Sequence, residues 1–169
     1  DPALPELPVQ FPDYAEWQVA RLDDDDIQAS IGYWKQQLAG APAVLDLPTD
    51  RPRPAIQSYN GAWHKLRIPT ELSDGIRELA RLNNATLYMV LLAAFKLLLN
   101  RYTGQTDIVV GSPIAGRLQR ELENLVGFFI NTLALRSDLG DNPSFTELLA
   151  QVKDTALDAY DNQELPFEK

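Results

Sequence analysis

The chain has 169 residues, 45% hydrophobic and 23% charged, and its 15 lysines and arginines against 24 acidic residues give a formal net charge of −9. This composition is typical of a globular protein long enough to bury one core. The acidic balance argues against nucleic-acid or membrane-surface binding, because both need a clustered basic surface. With no cysteine and a single histidine, His64, the sequence excludes disulfides, thiolate nucleophiles and zinc sites built on cysteine or paired histidines.

No segment of the sequence has the features of a targeting signal or a membrane span. The first ten residues, DPALPELPVQ, lack a basic start and an apolar core, so we expect a cytoplasmic protein. The most apolar stretch, residues 87–99, is interrupted by Lys96 and is shorter than the roughly 20 residues that a bilayer requires. We expect a buried helix there.

The first sixty residues are predicted to hold two proline-rich connections and one helix. Residues 1–12 and 42–54 each contain four of the twelve prolines, which disfavour helix. Between them lies a helical stripe of about three turns, formed by Ile27, Ile31, Trp34 and Leu38. Four aspartates at 23–26 precede it, and we interpret them as a favourable helix start, because the spacing of a calcium-binding EF-hand is missing.

From residue 60 onward the pattern is that of a compact α/β unit. Residues 61–68 predict a strand, and two helices follow, from Thr70 to about Asn83 and from a cap at Thr86 to about Arg101. The second helix is apolar on nearly all sides and is expected to be central. The remaining predicted elements are strands at 107–111 and 128–135 and a helix from 142 to about 160. This order predicts a two-layer α/β sandwich preceded by a partly helical N-terminal segment.

Three features invite a catalytic interpretation. Residues 111–117 have the glycine spacing of a P-loop, but Arg117 and Leu118 stand where phosphate and magnesium binding need lysine and then serine or threonine. His64 has no carboxylate placed by sequence to orient it, so a structural or exposed histidine is favoured. Asn131 interrupts an otherwise apolar strand, and its amide must either bond neighbouring backbone or face a cavity. The residues leave both interpretations of Asn131 open.

Several motifs, in a fixed order, resemble those of condensation domains from nonribosomal peptide synthetases. They are FPDYAEW at 11–17, YWK at 33–35 with LAGAP at 38–42, LPTDRPRP at 47–54, DIVVGSPIAGR at 107–117, GFFINTLALR at 127–136 and NQELPFE at 162–168. The resemblance implies two lobes, each similar to chloramphenicol acetyltransferase, with a tunnel between them. By that resemblance residues 1–41 end the N-terminal lobe, 42–59 link the lobes, and 60–169 form the first part of the C-terminal lobe.

The resemblance also implies a reaction, partners and a missing part. The whole domain would join a donor acyl or peptidyl thioester to an acceptor aminoacyl thioester, both presented by peptidyl carrier proteins on 4'-phosphopantetheine arms, with no cofactor or metal bound directly. The family's HHxxxDG motif is absent from the sequence, so this chain is expected to be inactive without the missing N-terminal lobe. The alternatives are a non-catalytic docking module for carrier or adenylation domains, and part of an epimerisation or heterocyclisation relative.

The resemblance distributes roles over the motif residues. Asn131 and Thr132 would line the acceptor side of the tunnel together with Gln163 and Phe167. Arg117 and Arg120 would contact phosphate, with ordinary surface charge as the alternative. A mainly structural role is implied for Asp13, Tyr14, Trp17, Gly127, Arg136 and Pro166.

One physical expectation follows from the incomplete resemblance. The stripe of Ile27, Ile31 and Trp34 is expected to pack on residues of the N-terminal lobe that lie outside this chain. The bare apolar stripe would then make the isolated chain dimerise or aggregate, or leave residues 1–58 mobile.

Overall fold

The computed structural model describes residues 6–52 and 54–169. In chain order, this part of the chain forms α1 (Phe11–Ala20), α2 (Asp25–Gln37), α3 (Thr70–Leu82), α4 (Leu87–Thr103), β1 (Asp107–Ile114), β2 (Asn131–Asp138) and α5 (Phe145–Asp161). Short 3₁₀ turns lie at Arg21–Asp23 and Arg120–Leu122. Residues 1–5 and Arg53, which belong to the two predicted proline-rich connections, lie outside the described residues.

Helix α1 begins inside the predicted N-terminal connection, so that prediction is wrong for its last two residues. Pro12 lies in the first turn, where the missing N–H costs no helical hydrogen bond because the helix has no carbonyl four residues earlier. The Asp13 carboxylate accepts a hydrogen bond of 2.8 Å from the Gln10 N–H and satisfies a second donor of the helix start. Pro12 is therefore part of the start of a helix and not of a connection.

The predicted helices from residue 23 to residue 103 are confirmed. Asp24 precedes α2, and the Thr86 hydroxyl accepts a hydrogen bond of 3.2 Å from the Met89 N–H at the start of α4. Gly104, at a φ of +72°, ends α4 in the left-handed conformation that favours glycine. Helix α5 begins at residue 145 rather than 142, where Ser144 and Glu147 exchange hydrogen bonds in a capping box.

The strand predictions need three corrections. Residues 61–68 carry no strand, because an extended run becomes a strand only where a neighbour pairs with its backbone. This whole run is exposed, His64 included, and Trp63 in it is 97% exposed. The strand predicted at 107–111 extends to Ile114, and that predicted at 128–135 is β2, which begins at Asn131. Asn131 therefore opens its strand instead of interrupting it.

The chain divides into two compact units. The first consists of Asp1–Gly40, described from residue 6, with Val110–Leu135 and Leu157–Lys169, and the second of Ala41–Val109, without residue 53, and Arg136–Ala156. Strands β1 and β2 are hydrogen-bonded to each other. The mixed α/β class is confirmed. In the second unit the buried side chains include Met89, Val90, Leu92, Ala93 and Leu99 of α4 and Leu148, Leu149, Val152 and Ala156 of α5.

A lysine lies fully buried in the second unit. Lys96 of α4 donates a hydrogen bond of 2.7 Å from Nζ to the buried Ser137 Oγ of β2. Among the described residues no carboxylate forms an ion pair with it. Burial without a counter-ion lowers the pKa of Lys96 to about 8. The Ser137 hydroxyl is therefore the described hydrogen-bond partner of the buried Lys96 ammonium group.

Helix α4 is only half covered by the described residues, so the expectation of burial on all sides is wrong. Leu87, Leu91, Phe95, Leu98 and Tyr102 form an exposed apolar stripe along it. The α2 stripe, by contrast, is partly covered within the first unit, where Ile27 is buried, the other stripe residues are half-buried and Trp34 donates a hydrogen bond to Asn162 O. The bare apolar surface lies on a different helix from the one expected.

No single helix among the described residues is long and apolar enough to cross a bilayer, although α3 and α4, bent by 105°, pass that test as a pair by length and composition.

The buried lysine predicts a pH dependence of stability. Lysine in the unfolded chain has a pKa near 10.4, so between pH 8 and about 10 the unfolded state binds more protons than the folded state. The free energy of unfolding therefore rises with pH across this window. Relative to Lys96→Met, we expect wild type to gain up to about 3 kcal/mol from pH 7 to pH 10.5 in urea unfolding. Relative to Lys65→Met, which replaces an exposed lysine and keeps Lys96, wild type should gain nothing over the same range. If the two variants give parallel curves of unfolding free energy against pH, the prediction is contradicted.

The exposed stripe of α4 predicts self-association of the isolated chain. A contiguous apolar surface on one helix face favours burial against another molecule. We expect the double variant Leu91→Gln/Phe95→Gln to shift the chain toward monomer in analytical ultracentrifugation. Val126→Gln, at an exposed apolar residue outside α4, is the control and should leave association unchanged. A wild-type chain that stays monomeric at every concentration would refute the prediction.

Candidate functional site

A groove of about 320 Å³ lies in the first unit beside the motif residues of β2. It is lined by Ile31, Trp34, Lys35 and Leu38 of α2, by Thr132 and Ala134 of β2, and by residues 165–167 and Lys169. The lining is mostly apolar, with Thr132 on one wall and two lysines among its polar residues. Such a surface suits an extended ligand that carries few polar groups and an anionic end.

One wall of the groove belongs to residues 162–168, which we call the wall segment. It follows α5 and has neither helical nor strand structure. Its backbone carbonyls and N–H groups must therefore be satisfied by side chains or by local turns. Three side chains from other elements bind it, and they define where it lies.

Asn131, at the start of β2, makes the largest set of these bonds. Its Nδ2 donates to the carbonyl oxygens of Gln163 and Leu165 at 2.9 and 2.8 Å. Its Oδ1 accepts from the N–H groups of Thr132 and Phe167 at 2.9 and 3.0 Å. The structure shows the amide bonded to backbone more than thirty residues away in sequence. Asn131 also lines a small cavity of about 40 Å³, so both interpretations that the sequence leaves open hold in part.

Two further anchors hold the wall segment from the side of α1 and α2. The Trp34 indole Nε1 donates to Asn162 O at 3.0 Å. Arg21 donates from Nη1 to the Glu164 carboxylate at 2.7 Å and also pairs with Asp24 and Asp26. The guanidinium lies 4.8 Å above the ring of Trp17. The bond to Glu164 raises the pKa of Arg21, so this charge is permanent in any ordinary buffer.

The structure separates the predicted acceptor-side residues. Thr132 and Phe167 line the groove, where Phe167 is 63% exposed. The Gln163 side chain donates from Nε2 to Tyr160 O at 2.7 Å. Its backbone carbonyl, and not its side-chain amide, accepts the hydrogen bond from Asn131. Pro166 lines both the groove and a smaller cavity of about 40 Å³. The four predicted residues therefore surround one wall, with two of them facing the groove.

An aromatic cluster occupies the other part of the first unit. Phe11, Tyr14 and Phe129 contact one another with ring centroids 4.8 to 6.2 Å apart, beside the buried Leu122 and Leu125. Gly127 fits against this cluster because a Cβ there would lie 2.2 Å from Phe11 Cδ2. Trp17 extends the cluster, with its ring 5.7 Å from that of Tyr14. These contacts fix α1 against the loop that leads into β2.

The two arginines predicted to contact phosphate differ in their surroundings. Arg117 lies 4.0 Å above the Phe129 ring and donates to Leu122 O, so its guanidinium is engaged by the cluster. Gly116, before it, is held against Phe129 O, where a Cβ would lie at 1.8 Å. Arg120 is exposed on the 3₁₀ turn. Lys35 and Lys169, which the sequence did not single out, are the cations that line the groove.

Arg136 belongs to the second unit. Its Nε and Nη2 donate to the two carboxylate oxygens of Asp107 at 2.9 and 2.7 Å, a bidentate pair that joins β2 to the start of β1. The hydrogen bond to Asp107 raises the pKa of Arg136. The geometry accounts for an arginine at this position, since lysine has no matching fork of donors.

Among the described residues, the lining of the groove offers no proton acceptor suited to neutral pH. It includes neither a carboxylate nor a histidine, and His64 lies outside it in the exposed run 61–68. Next to Trp34, burial raises the pKa of Tyr33 to about 12, with the charge of Asp158 adding to the shift. Over the described residues no group of three or more metal-ligating side chains exists. These side chains can bind and orient a ligand, but they offer no general base.

The chain is similar to known proteins in both sequence and fold. Its sequence matches the family model described as Condensation domain over residues 2–169. A linear gramicidin synthase protein of Brevibacillus parabrevis is 54% identical over 168 residues, 99% of this chain and 2% of that protein. Phosphinothricin tripeptide synthetase PhsC of Streptomyces viridochromogenes is 45% identical over 169 residues, 100% of this chain and 16% of that protein.

A solved structure shows the same fold. It is the complex of the X-domain and OxyB from teicoplanin biosynthesis, with a TM-score of 0.94 and 33% identity, and the match covers 99% of this chain and 38% of that chain. The chain thus spans a small part of the curated relatives it matches and well under half of this structural neighbour.

The engagement of Arg117 predicts a stability role that Arg120 does not share. Arg117→Ala removes a cation–π contact and a charged hydrogen bond to a carbonyl, and we expect it to lower the free energy of unfolding by about 1 to 3 kcal/mol in urea titrations. Arg120→Ala, at an exposed position three residues away, is the control and should stay within about 0.5 kcal/mol of wild type. Equal effects of the two substitutions would show that the packing of Arg117 contributes nothing.

Proposed function

This chain belongs to the condensation-domain family, and we propose that its groove holds the acceptor substrate during amide-bond formation by a nonribosomal peptide synthetase. The acceptor is an aminoacyl thioester on the phosphopantetheine arm of a peptidyl carrier protein. The observation that carries the proposal is the groove itself, whose mostly apolar lining includes Thr132 and two lysines. A phosphopantetheine arm has the same sequence of groups: a slender chain with amides and a phosphate at one end.

Each polar group of the groove has a task in this proposal. The Thr132 hydroxyl donates to an amide carbonyl of the arm or accepts from an amide N–H. The ammonium groups of Lys35 and Lys169 attract the phosphate, and their effect is large against the chain's net charge of −9, which would otherwise repel an anion. Phe167 and Leu38 supply apolar surface beside the arm.

The reaction then proceeds between two bound thioesters. The acceptor amine attacks the donor thioester carbonyl, the C–N bond forms, the C–S bond breaks, and the donor arm leaves as a thiol. The amine must lose a proton, and no described groove residue can take it. We therefore propose that the proton acceptor lies on another part of the complete domain and that this chain provides acceptor binding and orientation.

A second candidate function is docking without catalysis. It is supported by the solved structure of the related X-domain in complex with OxyB, since that domain of the same fold is described with a protein partner. The two functions separate in one experiment. A folded chain that binds a holo carrier protein equally well with and without the N-terminal lobe, and yields no peptide with it, favours docking.

The catalytic proposal predicts an effect at Thr132 in a complete condensation domain that contains this chain. We expect Thr132→Val to lower kcat/KM for the carrier-bound acceptor by about 3- to 10-fold, the value of one hydrogen bond, with the donor parameters unchanged. Peptide formation from loaded carrier proteins is followed by mass spectrometry. Thr70→Val, on the exposed start of α3, is the matched control. An unchanged acceptor kcat/KM in Thr132→Val would remove this hydroxyl from the site.

A further inference from the structure

The position of the wall segment depends on side chains, because its own backbone bonds are local. The Asn162 and Gln163 N–H groups bond back to the end of α5, and the Lys169 N–H bonds to Pro166 O. None of these bonds connects the segment to β2. The connection to β2 runs through the amide of Asn131, which reaches Gln163, Leu165 and Phe167.

The amide of Asn131 has no hydrogen-bonding capacity left for a ligand. An amide side chain offers two N–H donors and two acceptor lone pairs. Both donors of Asn131 are used on carbonyls of the wall segment, and both lone pairs accept backbone N–H groups. Aspartate lacks the donors and glutamine is longer by one methylene, so asparagine is the residue that fits all four partners.

We infer that Asn131 is a positioning residue, which holds the wall segment so that Leu165 and Phe167 shape the groove, and that it makes no contact with the substrate. The inference about the wall concerns the fold alone. Its consequence for ligand binding rests on the proposed function of the groove. Thr132, the next residue, faces the groove while Asn131 faces the wall, as alternate residues of a strand do.

The first test needs no ligand. Hydrogen exchange, measured by NMR on the 169-residue chain, should be about tenfold faster at the Phe167 N–H in Asn131→Ala than in wild type, because that N–H loses its acceptor. The N–H groups of Leu133 and Leu135 in β2 should keep their rates. Asn83→Ala is the matched control, since its amide donates to Leu79 O at the end of α3 and lies outside the wall segment.

The second test measures the groove. Trp34 lines it, so Trp17→Phe/Trp63→Phe leaves one fluorescent reporter, as the chain has three tryptophans. We expect 4'-phosphopantetheine to bind several-fold more weakly when Asn131→Ala is added to this background and equally well when Asn83→Ala is added. In the complete domain, Asn131→Ala should raise KM for the acceptor more than it lowers kcat, as expected for a displaced wall.

The outcomes distinguish the inference from the proposed function. Unchanged exchange at Phe167 in Asn131→Ala overturns the positioning role whatever the probe does. Faster exchange with undiminished binding of 4'-phosphopantetheine shows that the wall does not shape the groove, and this also overturns the inference. Faster exchange in a chain whose wild type does not bind the probe supports the role of Asn131 in the fold and counts against the proposed function. Asn131→Asp, which keeps the size but places a carboxylate against two carbonyls, replaces the alanine variant if that variant fails to fold.

Discussion

A backbone segment with neither helix nor strand must satisfy its polar groups by other means, and residues 162–168 do so partly through the side chains of Asn131 and Trp34. Arg21 adds an ion pair with the Glu164 carboxylate. The groove exists because of these bonds. Without them Leu165, Pro166 and Phe167 would have no fixed place beside α2 and β2, since an unpaired buried peptide group costs about 1 to 3 kcal/mol and would seek other partners. The amide of Asn131 and the indole of Trp34 thus replace some of the backbone hydrogen bonds that a third strand would make.

Two neighbouring residues of β2 have different roles, one in holding the wall segment and one in lining the groove. The amide of Asn131 is used by the fold, whereas Thr132 lines the groove. The aromatic cluster and Arg117 play a comparable part, because they fix the loop from which β2 begins. Motif residues of a family are often interpreted as contacts to substrate, but here most of them hold the surface that a ligand would meet. Lys169 lies outside the family motifs, and Lys35, although part of the YWK motif, received no role from the resemblance.

The exposed apolar stripe on α4 agrees with a second observation, which is that the chain covers only part of the related structure. Well under half of the structural neighbour corresponds to this chain, and the described residues contribute a sheet of two strands. Two strands alone are marginally stable in water, and a sheet of this kind normally continues against further elements. A helix with one fully buried face, an uncompensated Lys96 on it and a bare apolar face opposite is consistent with packing partners beyond the described residues.

Helices α2 to α5 and the family were predictable from the order of amino acids alone, because helical periodicity, caps such as Thr86 and turns such as Gly104 are local features of the chain. Helix α1 was not predicted, since the prolines around it favoured a connection. The same reasoning failed at residues 61–68 and at the first residue of β2, because a strand is defined by its neighbour and not by its own composition. Lys35 and Lys169 were missed for a related reason, since one lies on a helix surface and the other more than a hundred residues later. The bonds from Asn131 to Gln163, Leu165 and Phe167 became visible in the folded molecule, because which partner satisfies a buried amide depends on segments that folding brings together from far apart.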